Sequence, residues 1–243
     1  VSRGLGDVYK RQVCGFDAAR KLAILSSIGF RANVTFDDVL VEGIEKIDKS
    51  DIQYAKDMGY TIKLLTVALR QENGIALNVY PAFLPDNHPL SSVKGAYNAI
   101  YVTGNIVDDV MFYGRGAGAL PTASAVMGDV ISTAQHILNG STGTGMIMTD
   151  TKRIPFYSSL KLQNSYYFRL DVDDVTGVLS QIAAAFAEND ISICEVVQKR
   201  KTKGLAELVL ITELASRESI LQVEKALQVL PCMRKVANVI RVM

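Results

Sequence analysis

The run YYFRLDVDDVTGVLSQIAAAFAENDISICEVVQ, Tyr166 to Gln198, changes its hydrophobic rhythm twice. YYFRLDV reads as a strand, GVLSQIAAAFAEND carries apolar residues at helical spacing, and ISICEVVQK returns to β-branched residues. Downstream, AELVLITE is a further strand, RESILQVEKALQVL a second helix and MRKVANVIRVM a final strand. The order βαββαβ within one short unit predicts a ferredoxin-like layer of sheet and two helices over residues 165–243.

Working towards the amino terminus, composition shifts at NGSTGTG, Asn139 to Gly145, where Gly, Ser and Thr crowd together. Residues 139–164 are therefore expected to be a linker. Before it, PTASAVMGDVISTAQHIL is apolar at Ala123, Val126, Met127, Val130, Ile131, Ala134, Ile137 and Leu138, an amphipathic-helix pattern with Pro121 in its first turn. YTIKLLTVALRQ and IALNVYPAFL flank an Asn73-Gly74 step and predict a β-hairpin. NAIYVTG and DDVMFYG form a second strand pair around Gly104-Asn105. SDIQYAKDMG reads as a short helix capped by Ser50 and stopped by Gly59. From Asp17 a helix is expected, with Leu22, Leu25 and Ile28 beside Ala18 and Ile24 and a stop at Gly29. The fold class is α+β, a mixed and mostly antiparallel sheet with helices followed by the βαββαβ unit, and no internal repeat joins the two.

The 243 residues are 49% hydrophobic and 21% charged, enough to bury a substantial core, and the net charge of +1 offers nothing to a polyanion. Nucleic acid is not an expected partner. Three cysteines, Cys14, Cys194 and Cys232, without a CxxC, suit reduced thiols of a cytoplasmic protein. With two histidines, His88 and His136, no metal site is expected. No apolar run reaches the length of a membrane span, and VSRGLGDVYKRQ, residues 1–12, lacks the apolar core of a signal peptide. Those twelve residues read as a disordered or foreign leader.

Two stretches carry chemistry. Asp17 and Lys21 stand four apart, hence on one helix face. They are either a helix cap with a surface ion pair or an acid and base of a site in which partial burial lowers the lysine. In YGRGAGALPTASA, Tyr113 to Ala125, glycines 114, 116 and 118 precede a helix start. This is either a tight turn or a close backbone approach to an anionic ligand. GRGAGA lacks the third glycine of a dinucleotide fingerprint, so it is not the primary nucleotide loop, although it could close over a cofactor held elsewhere. His88 reads as a structural loop histidine, and the Asp37-Asp38 and KIDKSD charges as solvated surface.

VCGFDAARKLAIL, HPLSSVKGAYNAIYVTG and FYGRGAGALPTASAVMGDV, in this order, resemble homoserine dehydrogenase, and the βαββαβ tail resembles an ACT domain. The resemblance implies a substrate-binding and dimer-forming catalytic domain over residues 13–138, a linker over 139–164 and an ACT domain over 165–243. It implies interconversion of L-homoserine and L-aspartate 4-semialdehyde with NADP or NAD, in threonine, methionine and isoleucine biosynthesis. Lys21 matches the proton donor and acceptor at the substrate oxygen, Asp17 an acid that positions substrate, and Gly116 and Gly118 the turn that contacts the nicotinamide cofactor. Asp174, Gly177 and Asn189 match positions where such tails hold an amino-acid effector, with threonine the expected inhibitor and Thr176 standing where proline is frequent. A homodimer or homotetramer is implied. The family's Rossmann domain, with a second lysine and carbonyls that hold a monovalent cation, has no counterpart in this sequence, and Gln12 stands where an acid is usual. A truncated chain that turns over negligibly is therefore the expectation. The alternative is a non-catalytic amino-acid-sensing module in which only the tail functions.

Overall fold

The computed structural model describes residues 12–141, 154–200 and 204–243; residues 1–11 of the expected leader (1–12) and residues 142–153 of the expected linker (139–164) lie outside the described residues. The described residues form two compact units, 12–85 with 154–243, and 86–141.

In the first unit α1 (Phe16–Phe30) is followed by β1 (Leu40–Val41), α2 (Lys49–Asp57) and the hairpin of β2 (Tyr60–Gln71) and β3 (Gly74–Pro85). In the second unit lie β4 (Tyr97–Gly104), β5 (Asp108–Arg115) and α3 (Ala119–Leu138). The chain then re-enters the first unit with β6 (Gln163–Asp173), α4 (Val178–Ala187), β7 (Ile193–Arg200), β8 (Leu205–Thr212), β9 (Ala215–Ser216), α5 (Arg217–Gln228) and β10 (Met233–Val242). The tail strands run in the order β10-β6-β8-β7, all antiparallel, as the βαββαβ reading requires. Their sheet does not stop at the tail: β10 pairs in parallel with β3, Arg241 beside Ala82 and Val242 beside Phe83. β2 pairs with β3 from Gln71↔Gly74 to Tyr60↔Pro85, so Glu72 and Asn73 form the loop and Gly74 opens the strand. Among the described residues, β4 and β5 are a separate two-stranded sheet.

Both faces of the tail sheet are covered. On one, Phe168 and Leu170 of β6 meet Ile182 and Phe186 of α4 and Ile220 and Val223 of α5. On the other, Tyr167 of β6 stacks on Phe83 of β3 at 4.5 Å between ring centres, with Tyr54 and Ala55 of α2 in the same cluster. The second face also carries charge. Arg169 of β6, 5% exposed, pairs with Asp48, with Asp51 at 2.7 Å and with Glu207 of β8 at 3.4 Å. Tyr54 donates to Glu207 at 2.8 Å, Tyr167 to Asp51 at 3.2 Å, and the Asn238 amide to Asp51 at 2.7 Å. Burial and then the carboxylates push the Tyr54 and Tyr167 hydroxyls above the ordinary phenol range, so both remain donors.

This network corrects the expectation that the KIDKSD charges are solvated: Asp51 is fully buried. It also moves the helix cap from Ser50 to Asp48, which accepts from the Ser50 and Asp51 amides while Asp51 accepts from the Asp48 amide. Gly59, in the left-handed region, follows the α2 end as expected. α1 differs too. Its buried face is Ala19, Leu22, Ala23 and Ser26, whereas Ile24, Leu25 and Ile28 are exposed. Gly29 does not stop it; Arg31 does, at φ 50°. In α3 the expected apolar face exists, yet none of its residues is buried. His88 is structural as read, accepting from the Leu90 amide and capping a short 3-10 turn.

Replacing Arg169 with Met leaves Asp51 and Glu207 buried without their cation. The expected loss is about 3–5 kcal/mol, read as a fall in urea midpoint at unchanged slope. For Asp48, burial would raise the carboxyl, but the Asp51 and Ser50 amides and then Arg169 outweigh it and hold the group below its usual value. A depressed folded pKa stabilises above the unfolded value, about 4, and that stability is lost as pH falls through the folded one. Asp48→Asn is expected to remove this acid-range dependence, measured as midpoint against pH between about 2 and 5.

Candidate active site

At the head of α1 the backbone turns through Gly15, a left-handed N-cap at φ 80°. Asp17 is therefore the second helical residue rather than the cap, and its side chain is not used to hold the helix end. One turn on, Lys21 Nζ lies 2.8 Å from Asp17 Oδ2. The neighbouring cation, Arg20, is turned over the Phe36 ring at 5.4 Å, and Phe16 meets the same ring edge-on at 5.9 Å. Of the two cations at this edge, Lys21 is the one that reaches Asp17. The lysine side chain is 65% exposed and the aspartate 51%, so the pair stands at the surface and not at a partly buried edge. The apolar run that suggested burial turns its Ala19–Leu22–Ala23 side inward and leaves Lys21 on the other side. Chemically the pair offers an ammonium with three donors, one engaged by a carboxylate that itself has room for a cationic partner.

In the second unit, β4 and β5 are clamped near their open end. Tyr97 and Tyr113 stack at 4.9 Å with planes 2° apart, and Arg115 lies over Tyr97 while its Nε donates to the Tyr97 hydroxyl. The chain leaves this end through Gly116, whose amide donates to Ala96 O at 3.1 Å, and reaches Gly118, the N-cap of α3, at φ 130°. Gly116 and Gly118 thus stand together in one exposed turn at the head of a twenty-residue helix. A side chain at 118 would force an unfavourable backbone, so the position keeps a bare main chain towards solvent.

The third candidate region is the loop between β6 and α4. A cavity of about 120 Å³ there is lined by Asp173, Val175, Gly177, Val178, Gln198 and Leu208, with others. Gly177 is the left-handed N-cap of α4, and Asp173 accepts from Arg234 Nε at 2.6 Å. Asp174 adjoins this wall, its amide donating to Gly204 O at 2.8 Å. Asn189 is not brought to the cavity: it follows the far end of α4, about 15 Å along the helix, and its amide is spent on Ala185 O at 2.8 Å. Asp173 and Gln198 were missed in sequence. Their signal was cross-strand proximity, which becomes visible only once β6, β8 and β7 are in register. Among the described residues, no cluster of three or more His, Cys, Asp and Glu could hold a metal ion. No described helix is long and apolar enough to cross a membrane.

Comparison with known proteins gives two family matches, homoserine dehydrogenase over residues 9–131 and ACT domain over residues 166–232. A homoserine dehydrogenase of Bacillus subtilis is 37% identical over 231 residues, 94% of this chain and 53% of that protein. One of Corynebacterium glutamicum is 37% identical over 232 residues, 93% of this chain and 52% of that protein. The crystal structure of a homoserine dehydrogenase from Thiobacillus denitrificans superposes with a TM-score of 0.88 at 32% identity, covering 96% of this chain and 54% of that one. The chain thus spans about half the length of the curated relatives it matches. On a family match over half of its residues and relatives alike along nearly all of it, the chain belongs to the homoserine dehydrogenase family.

Proposed function

We propose that the chain supplies the substrate-binding half of an oxidoreductase that interconverts L-homoserine and L-aspartate 4-semialdehyde, in threonine, methionine and isoleucine biosynthesis. The observation that carries this is the Asp17–Lys21 pair, 2.8 Å apart on an exposed helix face of a family member. Reduction of the aldehyde places negative charge on the carbonyl oxygen. The Lys21 ammonium is the group that stabilises this oxygen and delivers its proton, and in the reverse direction Lys21 accepts that proton. Asp17 holds the ammonium in place and draws the amino group of the substrate.

NADP or NAD supplies the hydride when bound. The turn through Gly116 and Gly118 fits a cofactor edge, since at Gly118 it presents main chain directly ahead of a helix amino terminus. We read residues 13–138 as the substrate-binding and dimer-forming part, 139–164 as the connection and 165–243 as the effector part. Threonine is the proposed effector of the cavity beside Gly177. Its carboxylate would lie at the α4 amino terminus and its ammonium towards Asp173 and Asp174. The exposed Ile24, Leu25 and Ile28 of α1 support assembly into a homodimer or homotetramer. Three thiols without a disulfide support a cytoplasmic setting.

The 243-residue chain alone is expected to turn over negligibly. Joined at Val13 to the amino-terminal half of the Bacillus subtilis relative, it should oxidise homoserine, and Lys21→Met should lower kcat about 10²–10⁴-fold. An active Lys21→Met fusion would exclude the assigned role. Threonine at about ten times its Kd is expected to raise the thermal midpoint by about 3–6 °C, and Gly177→Ala to abolish the rise; no shift at any concentration would remove the effector assignment.

A further inference from the structure

The last strand of the chain is joined, through Glu42, to the loop that abuts the start of the helix carrying Asp17 and Lys21. Arg241 of β10 is 6% exposed, lies over the Tyr80 ring at 4.1 Å and donates to Glu42 Oε2 at 2.7 Å. Glu42 opens the loop that leaves β1, and its own amide donates to Val79 O at 2.8 Å. Two residues on, the Ile44 amide donates to Val13 O at 3.0 Å, and the Cys14 thiol bonds the Glu45 carboxylate. Loop and helix start are in van der Waals contact: a Cβ on Gly43 would come within 2.6 Å of Val13 O and 2.8 Å of Cys14 Cα. A Cβ on Gly15, the N-cap, would come within 3.1 Å of Val79 and 3.2 Å of Val41. A side chain at Gly43 would displace the helix start, and one at Gly15 would strain a left-handed backbone and press on Val41 and Val79.

We infer that Arg241, acting through Glu42, is a positioning residue for Asp17 and Lys21. A guanidinium nearly out of water and stacked on a buried tyrosine has one place to sit, and its carboxylate partner is half-buried at the root of the loop. The ion pair fixes where Glu42 stands, the 42–45 loop fixes Val13 to Gly15, and these set the axial position of α1. Asp17 and Lys21 follow within two turns, too close to the cap for the helix to absorb a shift. The substrate-site helix is thereby seated by a residue two positions from the carboxyl end of the sequence. This rests on the reading of Asp17 and Lys21 given above, and the turnover assay of the fusion tests that reading separately.

Amide hydrogen exchange in the full 243-residue chain tests the seating. Arg241→Met is expected to speed exchange of the Ala19–Ala23 amides about tenfold, with amides of β8 and α4 changing less than about twofold. Arg241→Lys, which can still pair with Glu42, should recover most of the protection and return the Lys21 ε-methylene resonance to its wild-type position. Glu42→Gln should act on the same amides, and the double variant should exchange no faster than Arg241→Met alone. Unchanged Ala19–Ala23 amides, acceleration spread equally over α1, β8 and α4, or additive effects in the double variant would each overturn the inference. Because Arg241→Met leaves a carboxylate that is partly in water, it is the variant expected to fold if the others do not.

Discussion

Arg169 is the residue on which the first unit depends. A guanidinium in the centre of β6 sits out of water between three carboxylates, two from α2 and one from β8. Such a charge is tolerable only with its partners in place, and the two buried ones, Asp51 and Glu207, are likewise tolerable only with it. The consequence is geometric. α2 cannot leave the tail sheet without exposing Asp51, and the tail cannot form alone without burying or baring Arg169. Two parts of the sequence more than a hundred residues apart are thus held to one relative position by polar groups whose geometry is more exacting than that of the apolar contacts around them.

The same logic explains why the sheet runs on from the tail into β3. Tyr167 stacks on Phe83, and the end of β10 pairs with Ala82 and Phe83, so the βαββαβ layer uses the hairpin strand as its fifth neighbour. The cavity at the β6–α4 loop and the Asp17–Lys21 pair on α1 therefore belong to the same compact unit. Within it β6 runs from the cavity wall at Asp173 to Tyr166, while its neighbour β10 ends at Arg241 beside Glu42. The second unit carries the Gly116–Gly118 turn on a hairpin clamped by paired tyrosines. Its long helix keeps an apolar face in water, the pattern of an element made to be covered.

Much of this was legible without coordinates. The βαββαβ order, the long hairpin, the short strand pair and the α3 helix all follow from apolar period and turn residues, which are local. The errors were also local in origin. Ser50 was a plausible cap, but Asp48 wins because Asp51 completes a reciprocal box. KIDKSD looked like solvated charge because nothing in six residues announces an arginine 118 positions away. The lone arginine inside YYFRLDV was the available hint: a charge amid buried strand residues needs partners. Lys21 looked desolvated because the run behind it is apolar, but a helix turns a residue away from its own neighbours.

The sequence by itself determined the longer helices and strands and their types, because apolar periodicity acts over a few residues. It also determined family membership, because its motifs keep their residues and order. Only the tertiary structure decided which charges are buried, which face of α1 turns inward, and that Asp173 and Gln198 share a cavity from which Asn189 is absent. Those outcomes depend on register between strands far apart in sequence, and on the cost of taking a charge out of water, which pairing across the fold alone can offset.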